Sequence, residues 1–321
     1  MKKWMWLLAF ATMLVVGCKE KKGVEKNDIP NFFDNKAAEQ AARRQSSANN
    51  DIDDAANTSF DSKGKDTKVA KPASWPRKME VPAPMENAGD ELLLSREGYR
   101  VSYNVTRRVP NWVAWHLTAS HTNGNFRRDD ITFSEDMEVP GPRATDDDYY
   151  SSRYDRGHLC PSGDCKWSKT AQRQSFLFTN VCPQNHELNK GDWNDLEMQC
   201  RKWARDYGDI YVVAGPIFYG GVKNTIGRNR VAVPDAFFKV VLDDDRKAKA
   251  IGFIYPNKSG HNDMTFYVKS IDEVERITGI DFFPMLDDNV EDRVEAADRQ
   301  SMIRNWRVDK AVTYFNNLKR Q

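Results

Sequence analysis

Reactive side-chain types crowd into one stretch of this sequence, from Arg153 to Arg205. It starts RYDRGHLCPSGDCKWS and continues, after Lys169–Gln174, with SFLFTNVCPQNHELNKGDWNDLEMQCRKWAR. Asp155-Arg156-Gly157-His158 supplies a carboxylate, a guanidinium, a flexible backbone position and an imidazole in direct succession. Hydrolysis of a phosphodiester needs a base to take a proton from water, a cation to neutralise the phosphate, and stabilisation of the leaving oxygen. Neutral imidazole accepts protons near pH 7, which makes His158 the candidate base. Asp155 or a backbone carbonyl would fix the tautomer of His158, and Arg156 would form a fork to phosphate oxygens. Asn189 offers an amide oxygen, a hard neutral ligand suited to Mg²⁺, an ion that keeps several of its waters. Glu197 would hold one of those waters.

These side chains need a scaffold. Ser175–Val181 reads as a β-like run that delivers Asn180 at its end. Trp193–Tyr207 reads as a helix with Trp193, Leu196, Cys200 and Trp203 or Ala204 on one face. Strand, loop, strand and helix make a compact ββα unit, with room for a metal between helix and hairpin. Around it, Gly98–Tyr103 and Asn111–Leu117 alternate as strands joined through Thr106–Pro110. Asp209–Ala214 is an apolar run closed by Gly215-Pro216. Ala236–Leu242 and Ala248–Ile254 flank Asp243-Asp244-Asp245 as a hairpin would. Ser270–Thr278 and Ser301–Asn317 are further helix candidates. Strands and helices do not alternate regularly, so the folded part is α+β rather than doubly wound.

Asp155–His158, Thr179-Asn180, Pro183-Gln184, Asn189, Trp193, Leu196 and Glu197, in that order and spacing, resemble the signature of the DNA/RNA non-specific endonucleases of the ββα-metal (His-Me finger) type, which include endonuclease G. The likeness extends to PNWVAWHLT (Pro110–Thr118), AGPIF (Ala214–Phe218), VAVPDAFFKVVL (Val231–Leu242) and TGIDFF (Thr278–Phe283), and covers roughly residues 92–318. It implies a ββα-metal finger set against a mainly antiparallel central β-sheet with flanking helices. It also implies a Mg²⁺-dependent endonuclease, with Mn²⁺ as a substitute, that cuts DNA and RNA with little sequence preference. On this resemblance His158 is the proton acceptor and Asn189 the protein ligand of the metal. Glu197 acts through water, and Asn180, Asp155 and Arg156 support the site. The family's upstream phosphate-binding arginine falls to Arg127 or Arg128, and Lys190 joins the substrate-binding set.

Singly, each of these residues has a plainer use. His116, His121, His186 and His261 default to structural roles. Asn180 and Asn189 suit turns and N-caps. Glu197 alone would be a solvated helix charge, and Trp193, Leu196 and Trp203 would be core. Only their joint order singles them out.

The 321 residues carry 48 basic and 47 acidic side chains, a net charge of +1, so no global basic field marks a polyanion partner. Nucleic acid must instead meet a local face, for which Arg153, Arg156, Lys166, Lys169, Arg173 and Lys190 are the candidates. A mean hydropathy of −0.73 excludes a polytopic membrane protein. Nine Trp and 16 Phe exclude disorder throughout.

The N-terminus is a different material. Met1–Cys18 reads MKKWMWLLAFATMLVVGC, with Lys2 and Lys3 ahead of an apolar stretch too short to span a bilayer comfortably. Leu14-Val15-Val16-Gly17-Cys18 resembles a bacterial lipobox. That resemblance makes residues 1–17 a signal peptide and Cys18 a lipidated residue that anchors the protein in a membrane of the cell envelope, facing either the periplasm or the exterior. Acyl chains contribute about 0.8 kcal/mol per buried CH₂. Residues 18–91 then form a polar linker and residues 92–321 the endonuclease domain, with Trp75 and Pro82–Pro84 hinting that the end of the linker packs on it. Cys160, Cys165, Cys182 and Cys200 interleave with the reactive motif. In an oxidising compartment they predict two disulfides, with three connectivities open. A zinc site built from these thiols and His186 ranks below that, because the spacings lack the paired C-x₂-C pattern. A surface lipoprotein that only captures nucleic acid is the third class, and the intact His158, Asn189 and Glu197 speak against it.

Overall fold

The computed structural model describes residues 78–85, 90–245 and 247–308. Cys18, Trp75 and the end of the expected Ser301–Asn317 helix lie outside these described residues. In chain order the strands are β1 (Glu91–Ser95), β2 (Arg100–Asn104), β3 (Val109–Leu117), β4 (Tyr154–His158), β5 (Val181–Asn185), β6 (Ile210–Ile217), β7 (Asn224–Ile226), β8 (Val231–Val233), β9 (Ala236–Asp243), β10 (Lys249–Pro256) and β11 (Val268–Lys269). The helices are α1 (Asp146–Tyr149), α2 (Lys169–Gln174), α3 (His186–Lys190), α4 (Asp192–Tyr207), α5 (Ile271–Thr278), α6 (Asp288–Glu295) and α7 (Arg299–Trp306).

A seven-stranded sheet in the order β1-β2-β3-β6-β9-β10-β11 forms the spine, and its neighbours pair antiparallel. Its central strands are almost continuously apolar because both faces are covered. Successive side chains alternate between those faces. On one side Val113, Trp115, Phe237, Val241, Phe253 and Tyr255 meet Trp193, Leu196 and Trp203 of α4. On the other, Trp112, Ala114, Phe238, Val240 and Ile254 meet Ile271 and Val274 of α5, and Val294 of α6. The chain is therefore α+β, with helices on both faces of a mainly antiparallel sheet. The stripe expected along Trp193–Tyr207 is the buried face of α4.

Two local expectations change. Ser175–Val181 is not a strand: Phe178–Asn180 forms one 3₁₀ turn, and β5 begins only at Val181. The Asn180 amide bonds backbone groups across that turn, a local alternative to ladder pairing. Packing also starts ahead of Leu92. Val81 is buried, and the Ala83 N–H donates to the Asp281 carbonyl at 2.9 Å.

Candidate active site

β4 and β5 form a separate antiparallel ribbon, with Asp155 opposite Gln184, Gly157 opposite Cys182 and His158 opposite Val181. Together with α3 and α4 it makes the expected ββα unit. Gly157 is needed for close approach, since a Cβ there would run into the Gln184 side chain. His158, the last residue of β4, has its backbone carbonyl held by Trp193 Nε1 at 3.2 Å. Behind it the fully buried Asn180 side chain clamps the chain. Its Oδ1 accepts from the Cys160 N–H at 2.9 Å, and its Nδ2 donates to the carbonyls of Cys160 and Ser175, both at 2.8 Å. Asn180 thus supports the site through the main chain.

The His158 ring packs against Phe133 and Phe176, at centroid distances of 5.0 and 4.9 Å. Its Nε2 is buried and has no hydrogen-bond partner among the described residues. Burial, reinforced by the Arg128 charge, pushes its pKa down to about 3. The ring is therefore neutral at pH 7, and His158 stands on the wall of the cleft.

Asp155 does not orient His158, which corrects the first of the two tautomer assignments. The alternation along β4 sends its side chain to the other face, where its carboxylate accepts from Asn189 Nδ2 at 2.8 Å and faces His186 Nδ1 at 2.9 Å. With Nδ2 engaged, Asn189 keeps Oδ1, its hard oxygen, as its remaining ligand atom. Asn189 is no N-cap either; Asn185 caps α3 by accepting from the N–H groups of Glu187 and Leu188. Gly191, with φ −106° and ψ −111°, separates α3 from α4. Glu197 lies half-buried on α4, where burial pushes its pKa up to about 7 against the opposing Lys239 and Arg201 charges.

A cavity of about 910 Å³ brings together Asp155, Arg156, His158, Asn189, Lys190 and Glu197, with Arg128, Phe133, Lys166 and Arg201 also on its wall. Of the two candidate upstream arginines, Arg128 lines the cavity and Arg127 does not; the Arg128 guanidinium lies 5.3 Å from the Phe176 ring centre. Arg156 is held by Asp146 at 2.6 Å and sits 5.9 Å from the Phe133 ring centre. Lys190 pairs with Glu187 at 2.8 Å. Of the basic face proposed from sequence, Arg153, Lys169 and Arg173 do not line the cavity. Arg201 was missed, although it stands one helical turn beyond Glu197, a spacing that brings side chains together. Asp164 holds it at 2.8 Å, and Trp115 Nε1 donates to the same carboxylate at 3.0 Å.

All four described cysteines are free and buried, so the expected disulfides are not formed in this structure. Cys160 and Cys165 alone come into sulfur contact, at 3.7 Å, well beyond the ~2.05 Å of a bond. Cys182 sits in the ribbon and Cys200 on α4, both enclosed in the apolar core. Nor do the thiols and His186 gather around one point. Among the described residues, three His, Cys, Asp or Glu ligand atoms come together only at Asp272, Glu275 and Glu295, outside the cleft. Asn189 and Glu197 bring an amide oxygen and a carboxylate to this cleft, hard donors that suit a hard divalent cation.

Known proteins match this arrangement. A sequence model of the family described as DNA/RNA non-specific endonuclease matches residues 81–289. The mitochondrial nuclease EXOG of Danio rerio is 38% identical over 203 residues, 58% of this chain and 59% of that protein. Nuclease C1 of Cunninghamella echinulata var. echinulata is 36% identical over 211 residues, 60% of this chain and 83% of that protein. A chain from the crystal structure of an EndoG/EndoGI complex superposes with a TM-score of 0.58 at 30% identity, covering 61% of this chain and 86% of that one. The chain spans less than two thirds of the length of the mitochondrial EXOG relatives, for example 57% of the Xenopus laevis protein.

Proposed function

Since the chain belongs to the DNA/RNA non-specific endonuclease family, we propose that it is a divalent-metal-dependent endonuclease, served by Mg²⁺ with Mn²⁺ as a substitute, that hydrolyses phosphodiester bonds of DNA and RNA with little sequence preference. The observation that carries this reading is the His158 imidazole on the wall of the same cleft as Asn189, whose amide Nδ2 is held by Asp155. The neutral His158 imidazole takes a proton from the water that attacks phosphorus. Its low pKa keeps it unprotonated in the free protein, and the incoming phosphate charge raises its basicity when substrate is present. Asn189 would hold the metal through Oδ1 and Glu197 would hold it through water. A divalent cation bound there supplies charge neutralisation at the phosphate and the leaving oxygen. Arg128, Lys166, Lys190 and Arg201 orient the backbone, while Arg156 reaches the phosphate by releasing Asp146. Phosphate contacts carry no sequence information, which accounts for low specificity.

The N-terminal segment adds a location. Its lipobox-like end supports cleavage before Cys18, acylation of that residue, and a membrane tether in the cell envelope through a polar segment to a catalytic domain whose packing begins by Val81. The test of function is digestion of plasmid and RNA by the full chain, with Mg²⁺ or with EDTA. Nicking of both substrates that EDTA abolishes is the expected result. Binding of both without cleavage would replace the enzyme by a capture module.

A further inference from the structure

β9 carries a lysine in the middle of its apolar run. Lys239 shares the α4-facing side of the sheet with Phe237 and Val241, and is 0% exposed. Its Nζ has no hydrogen-bond partner among the described residues. Lysine is almost never fully buried without a counter-charge, and the carboxylate whose field it shares, Glu197 on α4, is not hydrogen-bonded to it. The ammonium instead lies 4.2 Å from the ring centre of Trp193 and 5.4 Å from that of Trp115. Each indole spends its N–H on the cleft. Trp193 Nε1 holds the carbonyl of His158 at 3.2 Å, and Trp115 Nε1 holds Asp164 at 3.0 Å, which in turn holds Arg201 at 2.8 Å.

We propose that Lys239 is a positioning residue for catalysis: one buried cation shared by two indoles whose N–H groups fix His158 and the Asp164–Arg201 pair. The inference rests on the nuclease reading of that cleft. Cation–π attraction strengthens when water is excluded, as it is here. A cation on the ring face also polarises the indole and makes its N–H a better donor. Removing the charge loosens both indoles together, and small displacements of a catalytic base are costly in rate.

The test compares the full wild-type chain with Lys239→Met, Trp193→Phe and the double variant, by kcat and KM on DNA and by hydrogen exchange across residues 158–165. Methionine keeps the length without the charge; phenylalanine keeps a ring without the N–H. Lys239→Met is expected to lower kcat by about 10- to 100-fold with KM within about twofold. Exchange across 158–165 should quicken while exchange in β9 and β10 holds. The double variant should be no slower than the slower single one. A wild-type kcat in Lys239→Met, a loss confined to KM, or losses that multiply in the double variant would overturn the proposal. If Lys239→Met does not fold, Trp193→Phe and Trp115→Phe decide it, and wild-type kcat in both rejects the clamp. A wild-type chain inert on DNA would defeat the nuclease reading instead, and the exchange comparison would still judge Lys239.

Discussion

Replacing Asp155 by alanine tests the corrected role of that residue most sharply. Its carboxylate accepts from Asn189 Nδ2 at 2.8 Å, and this bond leaves Oδ1 as the end of the amide available to a metal. A hydrogen bond to a charged acceptor contributes about 1.5–3 kcal/mol. The Asp155 side chain is 31% exposed, so solvent screening favours the lower end of that range. About 1.4 kcal/mol is a factor of ten, which puts the expected weakening of metal binding near 10-fold and inside the usual ~10–100-fold for partners of metal ligands. The assay is initial-rate plasmid nicking by Asp155→Ala across a Mg²⁺ titration. The half-saturating Mg²⁺ concentration should rise by roughly that factor, with most of the rate restored at saturation. An unchanged titration with a rate depressed at every Mg²⁺ concentration would refute the reasoning. It would mean that Asp155 acts on His158 after all.

Three further outcomes follow from the same geometry. Asn180→Ala should destabilise the protein by about 2–4 kcal/mol, because it removes one acceptor and two donor bonds around a buried loop; denaturant unfolding of the variant measures this. Burial and neighbouring carboxylates push Glu275 up to about 7 and Glu295 up to about 8, from an ordinary 4.5. Between those values the folded state binds protons that the unfolded state has released, so their contribution to stability falls as pH rises from about 5 to 8. The Tm should decline over that window, and Glu295→Gln should blunt the decline. With a cleft walled by Arg128, Lys166, Lys190 and Arg201, DNA affinity should fall with salt at a log–log slope of roughly −0.9 per phosphate contact. Arg128→Ala should make that slope shallower by about one contact, as binding isotherms at several salt concentrations would show.

How much of this was legible in the sequence varies residue by residue. His158, Asn189 and Glu197 stood out because three rare requirements recur in a fixed order, and the stripe of Trp193, Leu196, Cys200 and Trp203 announced the helix that carries Glu197. The partner of Asp155 was also within reach: three steps from His158 along a strand, it must point to the opposite face. The 3₁₀ turn at Phe178–Asn180 was not, because Phe176, Phe178 and Val181 imitate a strand while Asn180 makes its decisive bonds to Cys160 and Ser175. β1 escaped because Leu92–Leu94 shows no alternation. Thiol pairing is set by where sulfur atoms meet in space, and spacing along the chain does not encode that. Arg128 was separable from Arg127 only once the cleft existed.

The central claim is that His158 is the base of a metal-dependent nuclease, and the most direct measurement is the single-turnover rate of plasmid nicking by His158→Ala at saturating Mg²⁺. Removing a positioned base costs about 10²–10⁴-fold. The account predicts a loss of that size in a variant that keeps its fold by circular dichroism and still binds DNA. A folded His158→Ala protein that nicks plasmid at near the wild-type rate would contradict it.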